Sequence, residues 1–447
     1  MAKNTQDFTQ GPILKPLILF SGPIMLTNLL QTSFQIVDSL WVGNILGAEA
    51  LAAVNISTTI LVTVLSFVLG LNNAALTILS QQYGRRDKEG LKSYLNAFII
   101  VMTVMAVGFG LLGYIFSAEL LLLLGTPEAI LDQSQIYLQI SFLGMFFLFA
   151  YNFINTVLRA LGDSKTPMRI VLIAVVLNAI LAPVLMIIFD LGIVGAAIAT
   201  VASQGIAFLY SVYHSMKHKL IPFTYPTLPK YSEVSLILKL GVPAGLQMGV
   251  IAAGSAAILS VVTSFGGQTV AGFSAAQRLS SLITLPAMAL GTAVNSMAGQ
   301  NIGLNYWSRV KSIAKYAVVY NLAIMVAIAV IIMIFAEAGI RLFIQDAEAV
   351  EFGATYLRIV ALCFPFLGIN FVLNGIVRAS GAMFQVLVLN IISFWVLRFP
   401  LTDLFSSMFG SIGIGMGMGA SFIVSSIAAY LYYRFGKWDK KVLFNDQ

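Results

Sequence analysis

Residues 23–43 read PIMLTNLLQTSFQIVDSLWVG, an apolar stretch with a single acid, Asp38. Three polar residues precede Asp38 at helical spacings, so all four side chains share one face of a predicted helix: Thr27, Gln31 and Gln35. A carboxylate in or near hydrocarbon is costly unless it is protonated, paired or hydrated. The stretch therefore predicts a membrane helix with a functional acid. Because Trp41 and Gly43 follow closely, it remains open that Asp38 only marks the helix end.

The composition of the whole chain also indicates a membrane protein. Of 447 residues, 59% are hydrophobic and only 10% are charged, with a mean hydropathy of +0.92. A soluble domain carries about 25% charged residues. A lone cysteine, Cys363, excludes a disulfide framework, and His214 and His218 lie in a lysine-rich connection. We therefore expect neither a metal site nor a cofactor.

Motifs of ATP-driven pumps and of hydrolases are absent from the sequence. It contains no Walker loop, no GxGxxG after a strand, no HExxH and no Gly-x-Ser-x-Gly. The polar N-terminus also lacks a signal peptide with a small-residue cleavage site, so we expect the first helix to be retained. The sequence predicts that the protein is not an enzyme and has no nucleic-acid partner.

Twelve apolar segments are each near or above the roughly 20 residues that span a bilayer core. They are 14–41, 51–79, 93–116, 134–158, 168–189, 191–213, 234–263, 271–298, 313–336, 353–377, 383–403 and 411–433. The connections that share a side with the two termini carry 21 of the 25 lysines and arginines. The positive-inside rule then predicts a multi-pass protein of the inner (plasma) membrane with both termini cytoplasmic.

The chain repeats itself at an offset of about 220 residues. Pro23 falls on Pro243, and LRALG at 158–162 falls on VRASG at 377–381. Because six spans are repeated and six is even, the two halves have the same orientation in the membrane. The sequence thus predicts an all-α polytopic membrane protein with two pseudo-symmetric six-helix lobes and a cavity between them. The predicted parts are a first lobe at 1–213, a cytoplasmic linker at 214–233 and a second lobe at 234–447.

Two such lobes are typical of alternating-access carriers, so transport is the leading hypothesis on architecture alone. Polar side chains within the spans are the candidate site residues, since lipid offers them no partner. For a coupling cation we select Asp38, Asn178, Thr200 and Gln31, and for a substrate cavity Gln35, Asn152, Asn155, Gln204, Gln247, Asn370 and Asn374. Each amide taken singly can equally be a contact between helices.

The second lobe differs from the first in its charges. The repeat places Ile258 opposite Asp38, and no acid lies within a span there except Asp403 at a helix end. Any ion coupling should therefore reside in the N-terminal lobe. The glycine-rich stretch GSIGIGMGMGA at 410–420 predicts close helix packing rather than phosphate binding. Pro23 and Pro243 each remove a backbone donor from a helix, so a hinge at Pro23 is a further hypothesis.

Three motifs resemble the multidrug and toxic compound extrusion (MATE) family of secondary transporters. They are PIMLTNLLQTSFQIVDSLWVGNILGAEALAAV at 23–54, AAQRL at 275–279 and PFLGINFVLNGIVRASG at 365–381. The resemblance covers essentially the whole chain. It implies antiport, in which an inward-moving cation drives export of amphipathic, often cationic compounds. The acid in the first helix is similar to that of the prokaryotic branch named for DNA-damage-inducible proteins (DinF-like), in which coupling is assigned mainly to the N-terminal lobe.

The resemblance also carries over particular positions of the first lobe. Seven residues match positions that the family uses: Pro23, Gln31, Asp38, Asn152, Asn155, Asn178 and Thr200. Where related members often carry a second aspartate, this chain has Ala182. A lone carboxylate is compatible with proton coupling and weakens the case for sodium.

The sequence therefore predicts a monomeric, cation-coupled antiporter that exports amphipathic drugs and toxic compounds by alternating access, with protons favoured over sodium ions. A flippase for lipid-linked sugars or phospholipids is the alternative within transport. It would need a wide cavity lined by several basic residues, and outside the cytoplasmic side only Arg278, Arg358 and Arg398 are available inside or near the spans. A membrane enzyme or receptor would need a catalytic cluster or a soluble domain, and neither is visible in the sequence.

Overall fold

The computed structural model describes residues 6–441 and 443–444, and within them every regular element is a helix. Ten helices of this part of the chain are long and apolar enough to cross a membrane, and there are twelve spans if each of two bent helix pairs is one span. The bent pairs are Glu128–Leu143 with Met145–Ala160, at 51°, and Ala347–Ala361 with Phe364–Ala379, at 53°. The all-α, twelve-span fold predicted from the sequence is confirmed.

The described residues form two compact units. The first contains residues 6–7 and Leu26–Gly245, and the second contains Phe8–Met25 and the described residues from Leu246 onward. The unit boundaries therefore fall inside two helices, each three residues after a matched proline, Pro23 or Pro243. The sequence places the boundaries instead in the connection 214–233. The compact units are defined by which residues contact each other in space, whereas the predicted boundaries follow polarity along the chain. Neither α1 nor α9 is interrupted at its proline.

The first unit contains α1 from residue 26, the first part of α9 and seven helices between them. The bounds are α1 (Leu14–Leu46), α2 (Ala48–Arg85), α3 (Lys88–Ile115), α4 (Ser117–Leu123), α5 (Glu128–Leu143), α6 (Met145–Ala160), α7 (Lys165–Pro183), a π-helical turn at Val184–Ile188, α8 (Gly192–Lys217) and α9 (Tyr231–Thr263). Asp87 caps α3 by accepting a hydrogen bond from the Gly90 amide at 2.8 Å.

The connection between α8 and α9 is fastened to the start of α3 in the first unit. The Asn96 amide donates to the Thr227 carbonyl at 2.7 Å and accepts from the Thr227 amide at 3.1 Å. The Ser93 hydroxyl donates to Glu233, which also accepts from the Lys230 amide at 3.0 Å. The residues predicted to be a linker are therefore held by side-chain hydrogen bonds.

The second unit contains the rest of α9 and the helices that follow it. Their bounds are α10 (Gly267–Ile283), α11 (Leu285–Gly303), α12 (Trp307–Arg341), α13 (Ala347–Ala361), α14 (Phe364–Ala379), α15 (Met383–Ile391), a π-helical segment at Ile392–Arg398, α16 (Phe399–Phe409), α17 (Ile412–Phe435) and a 3-10 turn at Trp438–Lys440. The segment before α1 is held here as well. The Phe8 carbonyl accepts hydrogen bonds from Asn301 at 3.1 Å and from Arg309 at 3.0 Å.

The glycine-rich stretch of α17 brings two neighbouring helices close, as its composition predicts. A Cβ atom at Gly413 would lie 2.0 Å from the Phe405 carbonyl oxygen, and one at Gly417 would lie 2.5 Å from Thr402 Cα. On another side of α17, a Cβ atom at Gly415 would lie 3.3 Å from the ring of Tyr356. Helices α16 and α13 therefore pack directly on the α17 backbone.

We expect Gly417→Ala to destabilise the protein by about 1–3 kcal/mol, because the added methyl group must displace backbone rather than a flexible side chain. Gly249→Ala is the matched control, since no atom lies within 4 Å of a Cβ placed there in α9. Thermal unfolding of the detergent-solubilised protein measures both. A Gly417→Ala protein as stable as the control would contradict the close packing.

Candidate functional site

Asp38 lies inside α1 and does not mark its end. The helix continues for eight residues beyond it, to Leu46. The Asp38 side chain is 8% exposed, although much of α1 is exposed or half-buried. The alternative that Asp38 only terminates the helix is therefore wrong. An acid enclosed in a membrane span requires polar partners from other helices.

Two of the predicted coupling residues supply these partners. Thr200 Oγ1, on α8, lies 3.4 Å from Asp38 Oδ1, and Asn178 Nδ2, on α7, donates to Thr200 Oγ1 at 3.2 Å. Thr200 Oγ1 also lies 3.2 Å from the carbonyl oxygen of Ala196. A hydroxyl has one proton, so Thr200 donates either to Asp38 or to Ala196 at any moment. The structure thus joins Asp38, Asn178 and Thr200 in one hydrogen-bonded group.

Tyr137 also belongs to this group, and the sequence analysis missed it. Its side chain is 3% exposed and interacts with Asp38, Thr200 and Thr58. In the sequence Tyr137 marks the repeat, because Tyr356 follows it by 219 residues. A buried tyrosine usually finds a partner for its hydroxyl. This tendency could have indicated that Tyr137 has a polar partner, but the sequence did not indicate that the partner is Asp38.

The position of the missing second aspartate is apolar in the structure as well. Ala182 is fully buried in a hydrophobic cluster with Val42, Val54 and Tyr137. Among the described residues, Asp38 is the acid that interacts with Tyr137. The Oδ1 atom of Asn178 is buried without a hydrogen-bond partner among the described residues. The site therefore offers one carboxylate, two hydroxyls and an unpaired amide oxygen.

In the described part of the chain, the side-chain hydrogen bonds of Asp38 do not include the other predicted site residues. In the first unit Gln35 is exposed, Gln31 and Gln204 are half-buried, Asn155 is buried, and Asn152 donates to the Leu148 carbonyl of its own helix at 2.8 Å. In the second unit Gln247 is buried, and the amides of Asn370 and Asn374 are hydrogen-bonded to each other. Their assignment to a substrate cavity, and that of Gln31 to cation coupling, stay predictions.

We expect Thr200→Val to reduce cation-driven transport about tenfold, because the ionised Asp38 loses a hydrogen-bond donor. Thr200→Ser keeps the hydroxyl and should retain most activity. Thr59→Val is the matched control, since Thr59 is exposed on α2 and its hydroxyl donates to the Asn55 carbonyl of the same helix, at 3.0 Å. Uptake assays on vesicles with equal amounts of each protein measure the effect. Equal rates for Thr200→Val and Thr200→Ser would contradict the role of the hydroxyl.

Comparisons with known proteins agree with this architecture. The family model MatE matches residues 23–184 and again residues 243–404. The chain is 59% identical over 441 residues to the probable multidrug resistance protein YpnP of Bacillus subtilis, covering 99% of both chains. It is 30% identical to the probable multidrug resistance protein YoeA of the same organism, covering 98% of this chain and 96% of the relative.

A solved structure shows the same fold. The Vibrio cholerae MATE transporter VcmN in its bent form superposes with a TM-score of 0.92 at 24% identity, covering 97% of this chain and 99% of that one. The two segments matched by the family model are 220 residues apart, which is the offset at which the sequence repeats. This chain therefore belongs to the MatE family, the multidrug and toxic compound extrusion transporters, and is a membrane transporter and not an enzyme.

Proposed function

We propose that this protein is a proton-coupled antiporter that exports amphipathic, often cationic drugs and toxic compounds by alternating access. The observation that carries the proposal is the enclosed carboxylate of Asp38 with Thr200 and Asn178 around it. Its relatives YpnP and YoeA are named probable multidrug resistance proteins, which supports the substrate class.

The hydrogen bonds around Thr200 suit a carboxyl group that gains and loses a proton. When Asp38 is ionised, Thr200 donates to Asp38 Oδ1. When Asp38 is protonated, its O–H donates to Thr200 Oγ1, and the Thr200 proton turns to the Ala196 carbonyl, 3.2 Å away. In both states Thr200 Oγ1 also accepts from Asn178 Nδ2. One hydroxyl therefore keeps partners in either protonation state without moving a helix.

Proton binding drives export only if the two protonation states favour different conformations with different substrate affinities. Asp38 lies on α1, Thr200 on α8 and Tyr137 on α5, so its charge acts on three helices of the first unit. In a low-dielectric interior, a change in the charge of Asp38 alters which hydrogen bonds the polar side chains on these three helices form most favourably. We propose that this change biases their arrangement.

Sodium is the second candidate for the coupling ion, and one observation favours it. Asn178 Oδ1 is buried without a partner, and an oxygen in that condition is a ready ligand for a hard cation. Asp38 and Thr200 would supply further oxygens. A single carboxylate with Ala182 in place of a second acid still makes the proton the better fit.

We further propose that the protein is a monomer of the plasma membrane with both termini cytoplasmic. The asymmetry of lysine and arginine among the connections supports the cytoplasmic position of the termini. Its partners would then be protons or sodium ions, amphipathic small molecules and the lipid bilayer.

The test is efflux of a fluorescent cationic dye from proteoliposomes under separately imposed proton and sodium gradients. We expect proton-driven movement in the wild type and movement at the level of empty liposomes for Asp38→Asn, because an amide cannot exchange the coupling proton. Asp403→Asn is the matched control, since Asp403 is an exposed acid of the second unit.

Each outcome of this experiment has a distinct meaning. Normal proton dependence in Asp38→Asn would remove Asp38 as the coupling site. Sodium-driven movement in the wild type would favour the oxygens of Asn178 and Thr200 as sodium ligands. If the protein is folded and no dye moves under either gradient, the alternative function, a lipid flippase, would be favoured.

The hinge at Pro23 is a further part of the proposal. Pro23 lies within continuous α1, three residues before the helix passes from the second unit into the first. We expect Pro23→Ala to slow transport several-fold without loss of folded protein, because restoring a backbone donor stiffens the helix. Pro243→Ala, at the matched position of α9, is the comparison. Unchanged turnover in Pro23→Ala, measured by the same dye assay, would remove the hinge role.

A further inference from the structure

Arg398 is a buried cation of the second unit, at the end of the π-helical segment Ile392–Arg398. Its side chain is 7% exposed. The guanidinium carbon lies 3.8 Å from the ring centre of Phe394 and 4.7 Å from that of Phe422. Its Nε donates to Ser421 Oγ at 3.3 Å. Two aromatic faces and one hydroxyl therefore surround the charge.

These contacts leave the positive charge without a counter-charge. Within residues 6–441 and 443–444, the ion pairs of the structure do not include Arg398. Tyr356 is the one ionisable neighbour with which it interacts. The guanidinium has five N–H donors, and the hydrogen bond to Ser421 uses one of them. Cation–π contacts compensate only part of the cost of removing a charge from water. An anionic group would therefore supply both a counter-charge and further hydrogen-bond acceptors for the guanidinium.

Two unpaired hydroxyls accompany Arg398. Tyr356 Oη and Thr402 Oγ1 are buried and have no hydrogen-bond partner in the described part of the chain. Tyr356 is 2% exposed and interacts electrostatically with Arg398. Thr402 is fully buried and lies four residues after Arg398, one helical turn along the same face. Buried hydroxyls are normally satisfied, so both indicate a missing partner.

Tyr356 and Thr402 pack on different sides of α17, and Arg398 packs on the same helix one turn beyond Gly417. Tyr356 contacts α17 at Gly415, Thr402 contacts it at Gly417, and Arg398 contacts it at Ser421. Tyr356 and Ser421 lie nine residues after the starts of α13 and α17, and Arg398 lies eleven residues before the end of α16, which corresponds to about 14–17 Å of helix in each case at 1.5 Å per residue. That depth is about half of a 30 Å hydrocarbon core. The cluster is therefore near the middle of the membrane.

The cluster is the counterpart of the Asp38 site in the duplicated fold. At the 220-residue offset of the two family matches, Asn178 falls on Arg398 and Asp38 falls on Ile258. Tyr137 and Thr200 fall within one residue of Tyr356 and Ser421. Ile258 is buried in one apolar cluster with Tyr356 and Phe422. The second unit thus keeps the tyrosine and the hydroxyl, loses the acid and gains a cation.

We propose that Arg398 and Tyr356 form a binding site for a small inorganic anion, with chloride as its ordinary occupant. The free donors are N–H and O–H groups beside a fixed positive charge, which is the chemistry of an anion site and repels a cation. The near-complete burial of Arg398 and Tyr356 suits a halide and disfavours an organic anion. The proposal is independent of which cation drives transport.

The test is thermal unfolding of the purified full chain in detergent, followed by tryptophan fluorescence, with sodium gluconate replaced stepwise by sodium chloride at constant ionic strength. A ligand that binds only the folded state raises the unfolding temperature in a saturable way. We expect saturable stabilisation by chloride and by bromide in the wild type. Arg398→Met should abolish the chloride response, and Arg278→Met should retain it, because Arg278 is an exposed cation of the same unit.

Tyr356→Phe keeps the packing and removes one donor, so it should weaken the apparent chloride affinity about fivefold. It keeps the proposal testable if Arg398→Met does not fold. A crystal grown in sodium bromide gives a direct measurement, with an anomalous peak expected at hydrogen-bond distance from the Arg398 guanidinium.

Three results would overturn the proposal. They are a wild type that unfolds identically in gluconate and chloride, a chloride response that survives Arg398→Met, and a response to benzoate without a response to chloride. The last would assign Arg398 to the carboxylate of an organic compound.

Discussion

Hydrocarbon offers no hydrogen-bond partner, and this constraint governs both polar sites of the structure. In the first unit Asp38 is enclosed, and Thr200, Asn178 and Tyr137 come from three other helices to meet it. Most polar side chains elsewhere in the spans solve the same problem locally. Serine and threonine hydroxyls bond to a carbonyl three or four residues earlier, as Ser57 and Ser134 do. The two functional proposals made above rest on groups without such a solution, Asp38 and Arg398.

The duplicated fold explains where these exceptions lie. The family matches repeat at one offset, the bent helix pairs repeat with nearly equal angles of 51° and 53°, and the unit boundary falls three residues after a proline in both α1 and α9. A duplicated scaffold places side chains at equivalent depths, so substitution of a few residues changes the charge of a site and leaves its framework intact. Asp38 and Ile258 are one such pair, and Asn178 and Arg398 are another.

Much of the fold could be predicted because its signals are local. Apolar length predicts the spans, the repeat predicts two equivalent halves, and the glycines of 410–420 predict the close packing found at Gly413 and Gly417. The site was partly predictable for the same reason, since an acid in a membrane helix is conspicuous. Tyr137 was missed because a tyrosine in an apolar span is ordinary, and only the approach of α5 to α1 and α8 makes it a neighbour of Asp38.

The sequence by itself determined the number of membrane spans and their helical type, the duplication and the identity of the buried acid, because hydrophobic length and residue periodicity are properties of consecutive residues. The tertiary structure decided which side chains meet. It divided α1 and α9 between the units, joined Thr200 and Asn178 to Asp38, and left Arg398 without a counter-charge near the unpaired hydroxyl of Tyr356. These features depend on contacts between residues far apart in the chain, which the pattern along a single helix does not specify.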